Sequence, residues 1–127
     1  MKIFINASSG VPIYRQIIQQ IENGVVGGIL NPGEQLPTVR EVALNLTINP
    51  NTVARAYREL ESNGVIESIQ GRGTYVSKNV PHLSGKAREK MIKDRLEEIL
   101  REAHQLNISP AKVEELLREI LLEISDQ

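Results

Sequence analysis

The chain has 127 residues, a formal net charge of −1, 40% hydrophobic residues and no Trp or Cys. This length holds one ordinary domain or two very small ones around an aliphatic core, which argues against a large enzyme cavity. Without Cys there is no disulfide framework, thiolate metal site or cysteine nucleophile, and near-neutral charge means that any nucleic-acid binding must come from a local patch.

The first residues, "MKIFINASSG", have too short an apolar core for a signal peptide. "KIFIN" alternates and predicts a short edge strand. Pro12 suits the first turn of a helix. From there Ile13, Ile17, Ile21 and Val25 recur every fourth residue, with Ile18 and Ile29 widening the stripe. This predicts an amphipathic helix ending near Gly27 and Gly28. "NPGEQLP" reads as a turn and a brief extended piece. Thr38 to Leu46 predicts a second helix, with Thr38 and Glu41 at capping-box spacing and Val42, Ala43 and Leu46 on its buried side. Thr47 and Ile48 turn the chain. Asn49 is then a good N-cap and Pro50 a good first helical residue, where proline's missing N–H costs nothing. A third helix is expected over about 50–63, stopped by Gly64.

Two β-like runs, Val65–Ile69 and Thr74–Val76, flank Gly71-Arg72-Gly73 and predict a glycine-tipped hairpin. "KNVPHLSG" reads as a linker. Residues 86–106 are helical by pattern, with Ile92, Leu96, Ile99, Ala103 and Leu106 on one stripe. Ser109-Pro110 opens a last helix, with Ile108 and Val113 placed for a hydrophobic staple. Its apolar face contains Val113, Leu116, Leu117, Ile120, Leu121 and Ile124. No apolar run approaches bilayer length, so a cytoplasmic protein with no membrane partner is expected. Residues 1–78 carry seven Lys/Arg and six Asp/Glu, and residues 79–127 carry eight and ten.

Helix, helix, tight turn, helix and glycine-tipped hairpin is the order of a winged helix-turn-helix. On the third helix Val53, Ala56, Tyr57 and Leu60 share one side, leaving Asn51, Arg55, Arg58 and Ser62 on the other. An α-helix fits the major groove, where Arg pairs with guanine and Asn with adenine. Asn49, Asn51, Thr52 and Arg55 occupy the helix end that usually reads bases. Gly71 and Gly73 permit close backbone approach, and Arg72 can enter a minor groove or meet a phosphate. Arg55 and Arg58 could instead be surface charges paired with Glu59 and Glu61.

Residues 36–76, "LPTVREVALNLTINPNTVARAYRELESNGVIESIQGRGTYV", resemble the DNA-binding domain of the GntR family of bacterial transcription regulators. The resemblance rests on Leu36-Pro37-Thr38, Arg40-Glu41, Thr52-Val53, Leu60, Gly64, Gly71, Gly73, Thr74 and Val76. The short tail is similar to that of the YtrA-like branch. The resemblance implies DNA contact at Arg40, beside Thr38; for Arg55 and Arg58 as a pair, framed by the turn and the wing, DNA contact is the favoured reading of the residues themselves. Relatives commonly carry a basic residue where Pro50 stands, so that contact is missing here and base reading shifts to Asn49, Asn51 and Arg55.

The expected fold is therefore mainly α with a small β wing. Residues 1–78 form the winged helix-turn-helix, 79–83 a linker and 84–127 a helical hairpin. Two helices of about twenty residues enclose little core alone. Burial of Ile92, Leu96, Ile99, Ala103, Leu116 and Ile120 against a second copy is the better account. The expected function is a homodimeric repressor on an inverted-repeat operator in double-stranded DNA. The alternative is a winged-helix scaffold for protein interaction. His82 and His104 lack ligand-spaced partners, so neither a metal nor another cofactor is expected. The acidic pairs Glu97-Glu98 and Glu114-Glu115 look like solvated faces, and an enzyme is not expected. A small-molecule effector, if one exists, would fit a pocket at the dimer interface.

Overall fold

The computed structural model describes residues 1–80 and 83–125. Its elements are α1 (Ile13–Val26), α2 (Val39–Leu46), α3 (Pro50–Ser62), β1 (Ile66–Ile69), β2 (Gly73–Val76), α4 (Gly85–Gln105) and α5 (Pro110–Ser125). They fall into two compact units, Met1–Leu83 and Ser84–Gln127. Among the described residues no helix is long and apolar enough to cross a membrane.

In the first unit, α3 packs against α1, α2 and β1. Its Val53, Ala56, Tyr57 and Leu60 are buried, joined by Ile17, Ile21 and Val25 of α1 and Val42 and Ala43 of α2. Each fully buried aliphatic side chain of this kind contributes roughly 1.5–3 kcal/mol. Ile29, expected to widen the α1 stripe, is instead 73% exposed, and Leu30 fills the core at 1%. Gly28, at φ +77°, breaks the helical phase before either residue, so the four-residue stripe does not continue to Ile29.

Capping sets the helix ends. The Thr38 hydroxyl accepts from the Glu41 N–H (3.1 Å) and donates to the Glu41 carboxylate (3.2 Å). Asn49 Oδ1 accepts from the Asn51 N–H at 2.8 Å, with Pro50 at the first helical position. Three helices close in one way: a residue one or two positions past the end takes a left-handed φ, and the next N–H reaches six residues' span back along the chain. The left-handed residues are Thr47 (+55°), Gly64 (+76°) and Asn107 (+59°). The bonds are Ile48 N–H to Ala43 C=O, Val65 N–H to Leu60 C=O, and Ile108 N–H to Ala103 C=O.

The expected N-terminal strand is absent. Residues 1–6 form no strand; side-chain amides of α1 bond their backbone instead. Gln20 accepts from the Phe4 N–H at 2.9 Å and donates to the Phe4 carbonyl. Gln16 accepts from the Asn6 N–H at 2.8 Å and donates to the carbonyls of Asn6 (3.0 Å) and Val11 (2.9 Å). The backbone groups of Phe4 and Asn6 are thus satisfied without a sheet.

β1 and β2 pair antiparallel, Ile66 opposite Val76 through Ile69 opposite Gly73. The extended piece after "NPG" lies along the other edge of β2. Gly33 and Leu36 donate to Val76 and Thr74, and Val76 donates to Glu34. The first unit also takes in part of the expected linker: Val80 packs on the core, and Leu83 N–H bonds to Val26 C=O at 3.4 Å. Pro81 and His82, also assigned to the linker, lie outside the described residues.

The second unit is the hairpin of α4 and α5. Ser84 caps α4 through the Ala87 N–H (3.2 Å), and Ser109 caps α5 through the Lys112 N–H (3.2 Å).

Tyr57 offers a test of the core. Its hydroxyl donates to the Pro37 carbonyl at 2.6 Å, tying α3 to the residue before the α2 cap. Burial first, and the nearby Glu41 carboxylate second, raise its pKa from 10.0 to about 12. A folded-state pKa above the unfolded one gives stability that is full below the unfolded value and lost as pH rises through the folded one. Tyr57→Phe should therefore lose about 1 kcal/mol at neutral pH, through the missing hydrogen bond. In urea titrations that deficit should shrink as pH rises from 10 toward 12. A deficit independent of pH would contradict this account.

Candidate nucleic-acid interface

Burial of one side of α3 turns its other side outward. Asn51, Arg55, Arg58 and Ser62 are all exposed, and Thr52 is half-buried beside them. Pro50 cannot donate, so the helix N-terminus presents Asn49 and the N–H groups that follow. One of these, the Asn51 N–H, is taken by Asn49 Oδ1. Asn49 therefore spends its acceptor on the cap and keeps its amide N–H₂ free to donate outward. The Asn51 side-chain amide forms no hydrogen bond among the described residues and is fully available. Thr38 is exposed, but its hydroxyl is engaged with Glu41 in both directions, so its share in an outer contact is small. Arg40 follows it, exposed on the first turn of α2.

The wing tip is built around Arg72. Its N–H closes the turn onto Ile69 C=O at 2.9 Å, and Gly71 supplies the positive φ (+78°) that this turn needs. The Arg72 carbonyl accepts from Gln35 Nε2 (3.3 Å) and from the Tyr75 hydroxyl (3.1 Å). At Gly73, φ is +119° and a Cβ would stand 3.0 Å from Gln35 Nε2, so both conformation and space favour glycine. The backbone of the tip is pinned from behind while the Arg72 side chain is exposed. Gln35 and Tyr75 escape a reading based on sequence spacing, because their shared partner is a backbone carbonyl at the tip.

No carboxylate approaches within 4.0 Å of Arg40, Arg55, Arg58 or Arg72 among the described residues. The ion pairs there, Lys90–Asp94, Lys112–Glu115 and Arg118–Glu114, are all in the second unit. The expected alternative, that Arg55 and Arg58 pair with Glu59 and Glu61, is not what forms. Glu61 turns to β1, accepting long hydrogen bonds from the Ser68 N–H (3.4 Å) and hydroxyl (3.5 Å). Arg55 lies instead over the ring of Tyr14 on α1, with Cζ 3.8 Å from the ring centroid. No local pattern in the sequence links these two residues.

In the second unit Ile92 (60% exposed), Leu96, Ile99, Leu116 and Ile120 lie open to solvent. Ala103 differs: at 7% exposure it is buried inside its own hairpin, where α4 turns back toward α5. An apolar groove of about 300 Å³ runs between the helices, lined by Leu96, Ile99, Ala103, Leu106, Leu116 and Ile120 among others. Ile108 and Val113 are half-buried at its end. Among the described residues no three His, Asp or Glu side chains gather as a metal site.

Residues 13–76 match the family model for bacterial regulatory proteins of the gntR family. The chain is 42% identical over 122 residues to the HTH-type transcriptional repressor YtrA of Bacillus subtilis (strain 168), covering 96% of this chain and 94% of that one. A GntR family transcriptional regulator from Listeria monocytogenes aligns with a TM-score of 0.59 at 31% identity. That alignment covers 91% of this chain and 98% of the other. The DNA-binding domain of AraR, solved in complex with operator ORX1, aligns with a TM-score of 0.52 at 29% identity, over 58% of this chain and 92% of that one.

The cap assigned to Asn49 can be separated from any outer contact. Asn49→Ala should lower unfolding free energy by about 1 kcal/mol, and Asn49→Ser should restore most of it, because serine caps as well. Thermal or urea unfolding checks this, and equal losses for both variants would remove the cap from the account.

Proposed function

Because this chain belongs to the GntR family of bacterial regulatory proteins, we propose that it is a repressor acting as a homodimer on an inverted-repeat operator in double-stranded DNA. Its relatives are transcription regulators, and the chain is not an enzyme. The observation that carries the reading is that the exposed arginines of the first unit have no carboxylate partner among the described residues. A surface that leaves Arg40, Arg55, Arg58 and Arg72 without ion-pair partners keeps their donors open to an external polyanion. The AraR domain bound to its operator is a similar fold engaged with DNA, which supports the same use here.

In this reading α3 enters the major groove. Asn51 and Arg55 meet base edges, Asn49 and Thr52 contact the groove wall, and Arg58 meets backbone phosphate farther along. Arg40, with Thr38 beside it, meets phosphate on the flank. Arg72 extends from the wing toward the minor groove or its phosphates, with Gly71 and Gly73 allowing close approach.

The second unit supplies the dimer. Large apolar side chains on both α4 and α5 remain exposed, including Leu96, Ile99, Leu116 and Ile120, and a soluble monomer rarely leaves so continuous an apolar face open. A second copy of the hairpin would bury them, with the groove between α4 and α5 receiving side chains of the partner. Ala103, already buried, would form the groove floor. Two copies present two recognition helices, so the operator should have two-fold symmetry.

Affinity for a preferred duplex should fall steeply as salt rises, through release of condensed counterions. Arg72→Ala should weaken binding to all sequences about equally and reduce the salt slope by roughly one unit. Fluorescence anisotropy over a salt series measures both. Binding without salt dependence would favour a protein-interaction scaffold instead.

Joint replacement of Leu96 and Ile99 by Asp should yield a monomer in sedimentation equilibrium, with the first unit still folded. Its operator affinity should drop by roughly a hundredfold or more, because the two half-site contacts are no longer linked. A dimer that survives the double substitution would place the interface elsewhere.

A further inference from the structure

We infer that Tyr14 is a positioning residue for base reading: its ring holds the Arg55 guanidinium in the pose from which Arg55 meets DNA. The inference rests on the proposal that the exposed side of α3 faces the major groove.

Arg55 Cζ lies 3.8 Å from the Tyr14 ring centroid, well inside the ~6 Å reach of a cation–π contact and close enough for the guanidinium to lie on the ring face. The ring is itself fixed. Tyr14 is half-buried on α1, packs against the core of the first unit, and α1 packs directly on α3. The contact therefore joins a rigid platform to an otherwise long and mobile side chain.

The geometry of the guanidinium makes this more than a surface contact. Its π face is spent on the ring, but its N–H donors lie in its plane and point away from the edges. Among the described residues no carboxylate or hydrogen-bond acceptor engages them. A bidentate pair with guanine O6 and N7 uses these edge donors. Stacking thus removes rotamer freedom that an unsupported arginine would lose on binding, without consuming the groups that bind. Arg15 adds to the arrangement. Its Cζ stands 5.7 Å from the same ring centroid, so a second cation lies within cation–π reach of Tyr14.

A ring that merely covers the core could be replaced by any apolar side chain of similar size. A positioning ring could not. The experiment compares Tyr14→Phe, Tyr14→Leu, Arg55→Ala and the double variant Tyr14→Leu/Arg55→Ala in the full chain. Affinities are measured for the preferred duplex and for its single-base variants. Tyr14→Phe keeps the π face and should bind as the parent does. Tyr14→Leu should bind the preferred duplex roughly three- to tenfold more weakly and lose discrimination at the same base position as Arg55→Ala. In the Arg55→Ala background, Tyr14→Leu should have no further effect. Tyr14→Met is measured in parallel, and whichever of Leu or Met remains folded by circular dichroism supplies the comparison. Equal losses for Phe and Leu, or a Leu effect that persists undiminished without Arg55, would overturn the inference while leaving α3 as the reading helix. If Arg55→Ala binds every duplex as the parent does, the proposed role of Arg55 at DNA falls, and the inference falls with it.

Discussion

Val53, Ala56, Tyr57 and Leu60 sit between α1, α2 and β1 with almost no exposure, and every feature that α3 presents outward follows from their burial. A helix turns 100° per residue, so burying these four leaves Asn51, Arg55, Arg58 and Ser62 no place but the surface. Rotating α3 by one residue would exchange apolar groups for charged ones in the core. The loss would be several times the few tenths of a kcal/mol contributed by an exposed ion pair. The start of the helix is set as firmly as its phase. Asn49 caps it, Pro50 begins it, and the Tyr57 hydroxyl anchors it to Pro37. In the proposed reading, the geometry presented to DNA is inherited from these contacts and needs no rearrangement of the helix.

The two units handle charge in opposite ways. In the second, cations and carboxylates pair along the same helix, Lys90 with Asp94 and Arg118 with Glu114. Such exposed pairs add little stability. What that unit leaves unsatisfied is apolar surface. The first unit buries its apolar surface well and leaves its arginines without carboxylates among the described residues. A net charge of −1 for the whole chain conceals this division. In the proposed reading it is the placement of these exposed arginines, not the total charge, that suits a DNA contact, while the exposed apolar side chains of the other unit suit a second copy.

Much of this was legible from residue order because the signals are local. Thr38 with Glu41, Asn49 with Pro50, and Gly64 each mark a helix end through bonds spanning a few residues. The four-residue stripe of α1 is likewise a property of one helix. The features that were not legible depend on partners far apart in the chain. "KIFIN" has the alternation of a strand, yet Gln16 and Gln20 bond the backbone of its Phe4 and Asn6 from α1, and side-chain amides leave no periodic signature. Ile29 continues a spacing that the backbone at Gly28 has already broken. The short extended piece at Glu34 and Gln35 is expected from the sequence, but its pairing along β2 joins residues far apart in the chain. The stacking of Arg55 on Tyr14 joins two helices whose packing had to be known first.

The central claim is that two copies of α3 read one symmetric DNA site. Selection of bound duplexes from a random pool by the full chain tests it most directly. The account predicts enrichment of an inverted repeat whose half-site centres are separated by about one helical turn, or a whole multiple of it, so that both recognition helices meet the same face of the duplex. Enrichment of a single asymmetric half-site, or no enrichment over the starting pool, would contradict it.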